Sequence, residues 1–149
     1  MSLIGDIEGK LDAKGRVFLP TAFRKLIWSG TSEEEQTLIL RRDIYDPCLS
    51  LYPLDVWNAT VEHLTSRLDL YNPKHHRLLR AYMAGAERVS LDANGRILIS
   101  KRLLQSAGLK DRVRFIGMNT RIDLWDASSM DNPFMDAEEM TKMMSEILV

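Results

Sequence analysis

Apolar residues in this chain come mostly in short blocks bounded by Gly, Pro, Asn or Asp, the pattern of short strands. Such blocks fall at 3–11, 17–19, 37–40, 48–52, 86–91, 96–99, 112–117 and 121–125. Helical spacing fills the gaps. Phe23, Leu26 and Ile27 predict the buried face of a short helix after Pro20, since proline fits a first helical turn. Val56, Trp57, Val61, Leu64 and Leu68 mark an amphipathic helix starting at Pro53. Asn72-Pro73 breaks it, and a second helix with His75, His76, Leu78, Leu79, Tyr82 and Met83 runs to Gly85. Lys101–Ala107 predicts a further short helix, closed by Gly108. Asp126-Ala127-Ser128-Ser129 reads as the cap of a final helix, with Met130, Met135, Met140, Met143 and Met144 as an adaptable apolar face for a neighbouring subunit or its own domain. Gly30 to Glu35 reads as a solvated loop, and Cys48 as a small strand or core residue.

One block occurs twice. Leu11-Asp12-Ala13-Lys14-Gly15-Arg16-Val17-Phe18-Leu19-Pro20 returns 80 positions later as Leu91-Asp92-Ala93-Asn94-Gly95-Arg96-Ile97-Leu98-Ile99-Ser100. Leu49-Ser50-Leu51-Tyr52 returns as Ile122-Asp123-Leu124-Trp125, at an offset of 73. Two copies are too few for a solenoid and point to halves that complete one another. Asp followed three residues later by Gly is a type I turn signal, with the Asp carboxylate accepting backbone N–H groups and Gly supplying positive φ. Asp12, Gly15, Asp92 and Gly95 are therefore the turn-stabilising candidates. The first turn should join 3–11 to 17–19 as a hairpin, and the second 86–91 to 96–99. Lys14, Arg16, Asn94 and Arg96 lie at or just past the tips, with the arginines expected to face solvent. Asp and Arg bracing each turn as a surface ion pair is the competing reading, and such pairs are worth little in water.

Asp-x-x-Gly-Arg, then three apolar residues and Pro, duplicated within a chain of 149 residues, resembles the MraZ family of bacterial transcriptional regulators. That family belongs to the AbrB-like, swapped-hairpin superfamily. Pro47-x-Leu-x-Leu-Tyr-Pro before a Trp-containing helix, Asn72-Pro73 with Arg77 and Arg80, and Leu124-Trp125 add to the likeness. Ser100 in place of Pro20, and Asn94 opposite Lys14, depart from strict repetition. The resemblance implies an α+β fold: a duplicated swapped-hairpin (double-split β-α-β) AbrB-like barrel formed by two halves of one chain. Residues 1–52 and 85–125 are the expected halves, 53–84 the linking helices and 126–149 a helical tail. It implies double-stranded DNA as partner, contacted by Lys14, Arg16, Asn94 and Arg96 in the major groove. It further implies a homo-oligomeric ring on repeated promoter boxes of the division and cell-wall gene cluster.

Composition changes this picture in one respect. A net charge of −1 argues against a generic nucleic-acid binder, but the charge is unevenly spread. Lys74 to Arg102 holds seven Lys or Arg against two acids, whereas Asp123 to Val149 holds seven acids against Lys142 alone. That acidic, Met-rich tail keeps a ring-forming protein scaffold as an alternative, and the hairpin keeps an antitoxin-like autoregulator as another. The single Cys48 cannot form an intramolecular disulfide, and the Met-Ser-Leu-Ile-Gly start lacks the features of a secretion signal. A cytoplasmic, nucleoid-associated protein without a membrane span is the expectation. Adjacent His75 and His76 point different ways on a helix and have no carboxylate one turn on, so no metal is expected. No phosphate-cradling Gly-rich loop or nucleophile elbow is present, so neither enzyme nor cofactor is expected.

Overall fold

In a computed structural model, residues 2–28 and 37–149 are described; the acid run at 33–35 lies outside them. Strands form at the apolar blocks: β1 Asp6–Lys10, β2 Arg16–Phe18, β3 Thr37–Arg42, β4 Leu49–Pro53, β5 Ala86–Ser90, β6 Arg96–Leu98, β7 Arg112–Met118 and β8 Arg121–Asp126. Helices are α1 Thr21–Ile27, α2 Leu54–Ser66, α3 Pro73–Ala84, α4 Lys101–Ser106 and α5 Ala137–Ile147. Asn72 caps α3 by accepting from Lys74 N, with Pro73 in the first turn, where no internal donor is needed. Gly108, at φ +64, follows α4.

Strand pairing departs from the hairpin reading. β1 and β2 flank one turn but do not pair; β1 pairs with β7, and β2 pairs antiparallel with β6 from the other half. Likewise β5 pairs with β3, not β6. Six strands thus run in the order β1-β7-β8-β4-β3-β5, with β2-β6 a separate two-stranded ribbon. The turn closes over five residues only, and the strands then diverge because burial is better across halves. Val17 and Ile97, which oppose each other in the ribbon, are 1% and 0% exposed.

The register reveals a pseudo-twofold relation. Arg16 opposes Leu98 and Phe18 opposes Arg96, so the repeat positions exchange across Val17 and Ile97. Leu49 opposes Leu124 and Leu51 opposes Ile122 across Ser50 and Asp123. The fold is thus the expected duplicated α+β swapped-hairpin unit, its halves interlocked and joined by α2 and α3. The main core draws on both halves, with Phe23, Leu38, Leu40, Leu49, Leu51, Leu103, Phe115, Ile122 and Leu124 buried. Burying aliphatic and aromatic side chains of this size contributes about 1.5–3 kcal/mol each.

Two further expectations are corrected by the fold. Leu26 is 43% exposed, because a helix of seven residues touches the core mainly through Phe23. Asp126 does not cap the final helix; it caps a single 3₁₀ turn at Ala127–Ser129, and Asp136 caps α5 by accepting from Glu139 N. Phe134, with positive φ and its ring against Trp125, separates the two. Cys48 is buried, and burial pushes its thiol pKa up to about 12, as befits a core residue. Among the described residues no helix is long and apolar enough to cross a membrane.

Candidate nucleic-acid interface

Each turn is built by its own residues. Gly15 N donates to Asp12 O at 3.1 Å and Asp12 N to Arg16 O at 2.9 Å; the second turn repeats this at 3.0 and 2.8 Å. Gly15 and Gly95 have φ +85 and +83, a region in which an L side chain is strained. Asp12 Oδ1 accepts from Lys14 N and Arg16 N, both at 2.9 Å. Asp92 Oδ1 accepts likewise from Asn94 N and Arg96 N. The second carboxylate oxygen takes the arginine Nε, at 2.7 Å in the first turn and 2.9 Å in the second. These bonds hold both carboxyls below the usual range, the arginine backbone N–H being the largest cause in each.

The ribbon then brings the turns together. Leu19 N donates to Gly95 O at 3.1 Å and Ile99 N to Gly15 O at 2.9 Å, so each glycine carbonyl is held by the opposite half. Arg96 Nη1 lies 3.8 Å from Asp12 Oδ2, an ion pair from one turn to the other. Arg16 and Arg96 therefore do not simply face solvent; their side chains are 32% and 21% exposed. Bracing and outward reach are compatible, however. Guanidinium has five donors, and Nε takes up one of them. The Asp–Arg contact through Nε holds the guanidinium and uses one of its donors, and in Arg96 one terminal nitrogen also faces Asp12. Phe18 and Leu98, each 57% exposed, lie on the outward side of the same ribbon.

Behind the glycines the turns differ. A Cβ at Gly15 would meet the Ile99 carbonyl oxygen at 2.8 Å and the Leu104 side chain at 3.4 Å. A Cβ at Gly95 would collide with the Arg24 guanidinium instead. Arg24 and Leu104 are equivalent positions, 80 residues apart. The sequence reading missed Arg24 and Lys25, which share a cleft of about 660 Å³ with Asp92, Asn94 and Gly95. The signal that could have found them is the repeat itself, which aligns Arg24-Lys25 with Leu104-Gln105.

Other candidates are occupied elsewhere. His75 Nδ1 accepts from Asp69 N at 2.7 Å, and His76 Nε2 contacts the Leu70 carbonyl, so both tie down the link between α2 and α3. Among the described residues no group of three or more His, Cys, Asp or Glu is placed to hold a metal.

Comparison with known proteins agrees with this duplication. The family model for the MraZ protein, described as antitoxin-like, matches twice, over residues 3–81 and 82–143. The transcriptional regulator MraZ of Bacteroides thetaiotaomicron is 42% identical over 145 residues, 97% of this chain and 91% of that protein. That of Phocaeicola vulgatus is 42% identical over 148 residues, covering 99% and 94%. The Pectobacterium atrosepticum protein of the same name is 34% identical over 135 residues, covering 89% and 86%.

Proposed function

The chain belongs to the MraZ family, and from that premise we propose that it is a transcriptional regulator that binds double-stranded DNA sequence-specifically through its two Asp-x-x-Gly-Arg turns. The observation that carries this reading is the pairing of those turns. Two braced arginines stand side by side, each held by a carboxylate of its own turn and linked by the 3.8 Å contact between Arg96 and Asp12. A guanidinium held in this way presents two terminal N–H groups to guanine O6 and N7 in the major groove. Because the guanidinium is held beforehand, binding costs less side-chain entropy.

Lys14 and the Arg24–Lys25 pair serve the phosphates, which set orientation without reading sequence. Asn94 offers an amide suited to adenine or to a phosphate oxygen. Phe18 and Leu98 supply apolar surface for a thymine methyl group. So few cations per subunit bind weakly; several subunits in a ring, engaging repeated boxes together, gain through effective concentration. The target is the promoter of the division and cell-wall cluster, including the region upstream of the protein's own gene. The site is a binding surface, without a reaction of its own, and it operates in the cytoplasm on the nucleoid.

A mobility-shift titration against that promoter, at several salt concentrations, tests the reading. Specific retention that weakens steeply with salt is expected, with a log–log slope of about −0.9 for each phosphate neutralised. Equal retention of a scrambled duplex, or a flat salt response, would refute it.

A further inference from the structure

Two surfaces of this chain, an acidic helix with an apolar stripe and an apolar groove beside a basic helix, are both left open within the chain. The first is α5. Asp136 starts it, and Met140, Met143, Met144 and Ile147 then fall at i, i+3, i+4 and i+7, forming one stripe. Those four side chains are 49%, 40%, 50% and 69% exposed, and every residue of α5 is exposed within its own chain. Residues 136–149 carry four acids against Lys142 alone, and Glu139 and Glu146 flank the stripe on one side.

The second surface is the groove where the α2–α3 link runs beside α3. Leu68, Leu70, Leu79 and Met83 line it, with Asp69 and the two histidines at the link, and its volume is about 260 Å³. Helix α3 buries none of its residues fully. Its charged residues are all cations, the exposed Lys74, Arg77 and Arg80, and Arg80 borders the groove directly. At about 1.5 Å per residue, the eleven residues of α5 and the twelve of α3 run nearly the same length.

We propose that α5 of one copy docks in the α2–α3 groove of the next copy, its methionine stripe on Leu79 and Met83 and its acids against Arg77 and Arg80. Methionine suits this task, because three rotatable bonds let it fill an irregular apolar groove. Donor and acceptor surfaces lie at different places on one chain, so the contact is heterologous. Each copy then offers a tail to one neighbour and a groove to another, and such contacts close into a ring when the rotation permits. The inference rests on the self-association proposed above and names the segment that makes it.

The test uses the full chain carrying both Met143→Cys and Met83→Cys, treated with a short bismaleimide and run on a denaturing gel. Buried Cys48, with its raised thiol pKa, does not compete. A ladder of covalent oligomers is expected from the double variant, and at least tenfold less from either single variant. Arg77→Glu with Arg80→Glu should weaken the ladder, and adding Glu139→Arg with Glu146→Arg should restore it. A covalent dimer from Met143→Cys alone in yield equal to the ladder would mean tail-to-tail pairing and would overturn the proposal. So would a double variant that stays at monomer size on the gel. Light scattering of the same sample separates the two readings. An oligomeric mass without a ladder refutes only this docking mode, whereas a monomeric mass refutes self-association as well.

Discussion

The two turns share one backbone and differ in what stands around it. Each has Asp at its start, Gly at positive φ and an Arg whose Nε meets the carboxylate. The first carries its cation at the tip, in exposed Lys14, and packs apolar Leu104 behind Gly15. The second has neutral Asn94 at the tip and takes its cation from α1 of the other half, through Arg24 behind Gly95. The helix after each turn differs as well. Ser100 Oγ accepts from Leu103 N and donates to Glu87, which also binds Arg102, whereas Pro20 makes no side-chain cap. A repeated motif thus holds its geometry while positive charge moves to another part of the chain. What the backbone requires stays local, whereas an electrostatic need can be met from any element that packs nearby.

The largest effect should come from the glycines. Gly15→Ala places a Cβ against the fixed Ile99 carbonyl in a left-handed conformation, and a loss of about 3 kcal/mol is expected. Gly95→Ala meets the movable end of Arg24, so only about 1–2 kcal/mol of backbone strain is expected. Urea melts of both variants measure this, and equal losses would erase the distinction between the turns.

Removing the arginines comes next. Arg16→Ala and Arg96→Ala should each weaken specific DNA binding by about 1–3 kcal/mol for every base that the guanidinium reads. Their melting midpoints should change little, since part-exposed ion pairs contribute about 0–1 kcal/mol. Arg16→Ala should hurt binding more, because its side chain is the more exposed of the two, 32% against 21%. Quantitative gel shifts with melting curves decide; unfolding with unchanged DNA affinity in the surviving fraction would make both arginines mere struts.

A smaller effect tests the transferred cation. Lys14→Ala and Arg24→Ala should each lower the salt slope by about 0.9 for every phosphate left without its cation, whereas Leu104→Ala should not. If Arg24→Ala leaves the slope unchanged, the second turn works without a substitute charge.

The smallest concerns pH. Asp12 and Asp92 have carboxyls held below the ordinary 3.8, so their stabilisation is present above that value and lost as pH falls through their lower folded values. Asp123 behaves oppositely. Burial raises its pKa, so its ionised form is disfavoured in the fold. Its contribution is therefore greatest below 3.8 and shrinks as pH rises through the raised value. Asp12→Asn and Asp92→Asn should flatten the acid limb of melting temperature against pH by similar amounts, and Asp123→Asn should flatten the opposing trend.

By itself the sequence determined both turns, most element boundaries and the presence of two equivalent halves. Each turn's hydrogen bonds span at most four residues, so Asp12, Gly15 and Arg16 carry the whole instruction. The tertiary structure alone decided which strands pair, that Arg24 stands behind Gly95, and that Leu26 stays half in solvent. Strand edges offer the same N–H and C=O groups to every partner, and an alternating pattern names a buried face without naming what covers it. β1 therefore reads as the hairpin partner of β2 until the cores of both halves are packed together. Only then does burial of Val17 against Ile97 select the swapped arrangement, and with it the side-by-side arginines.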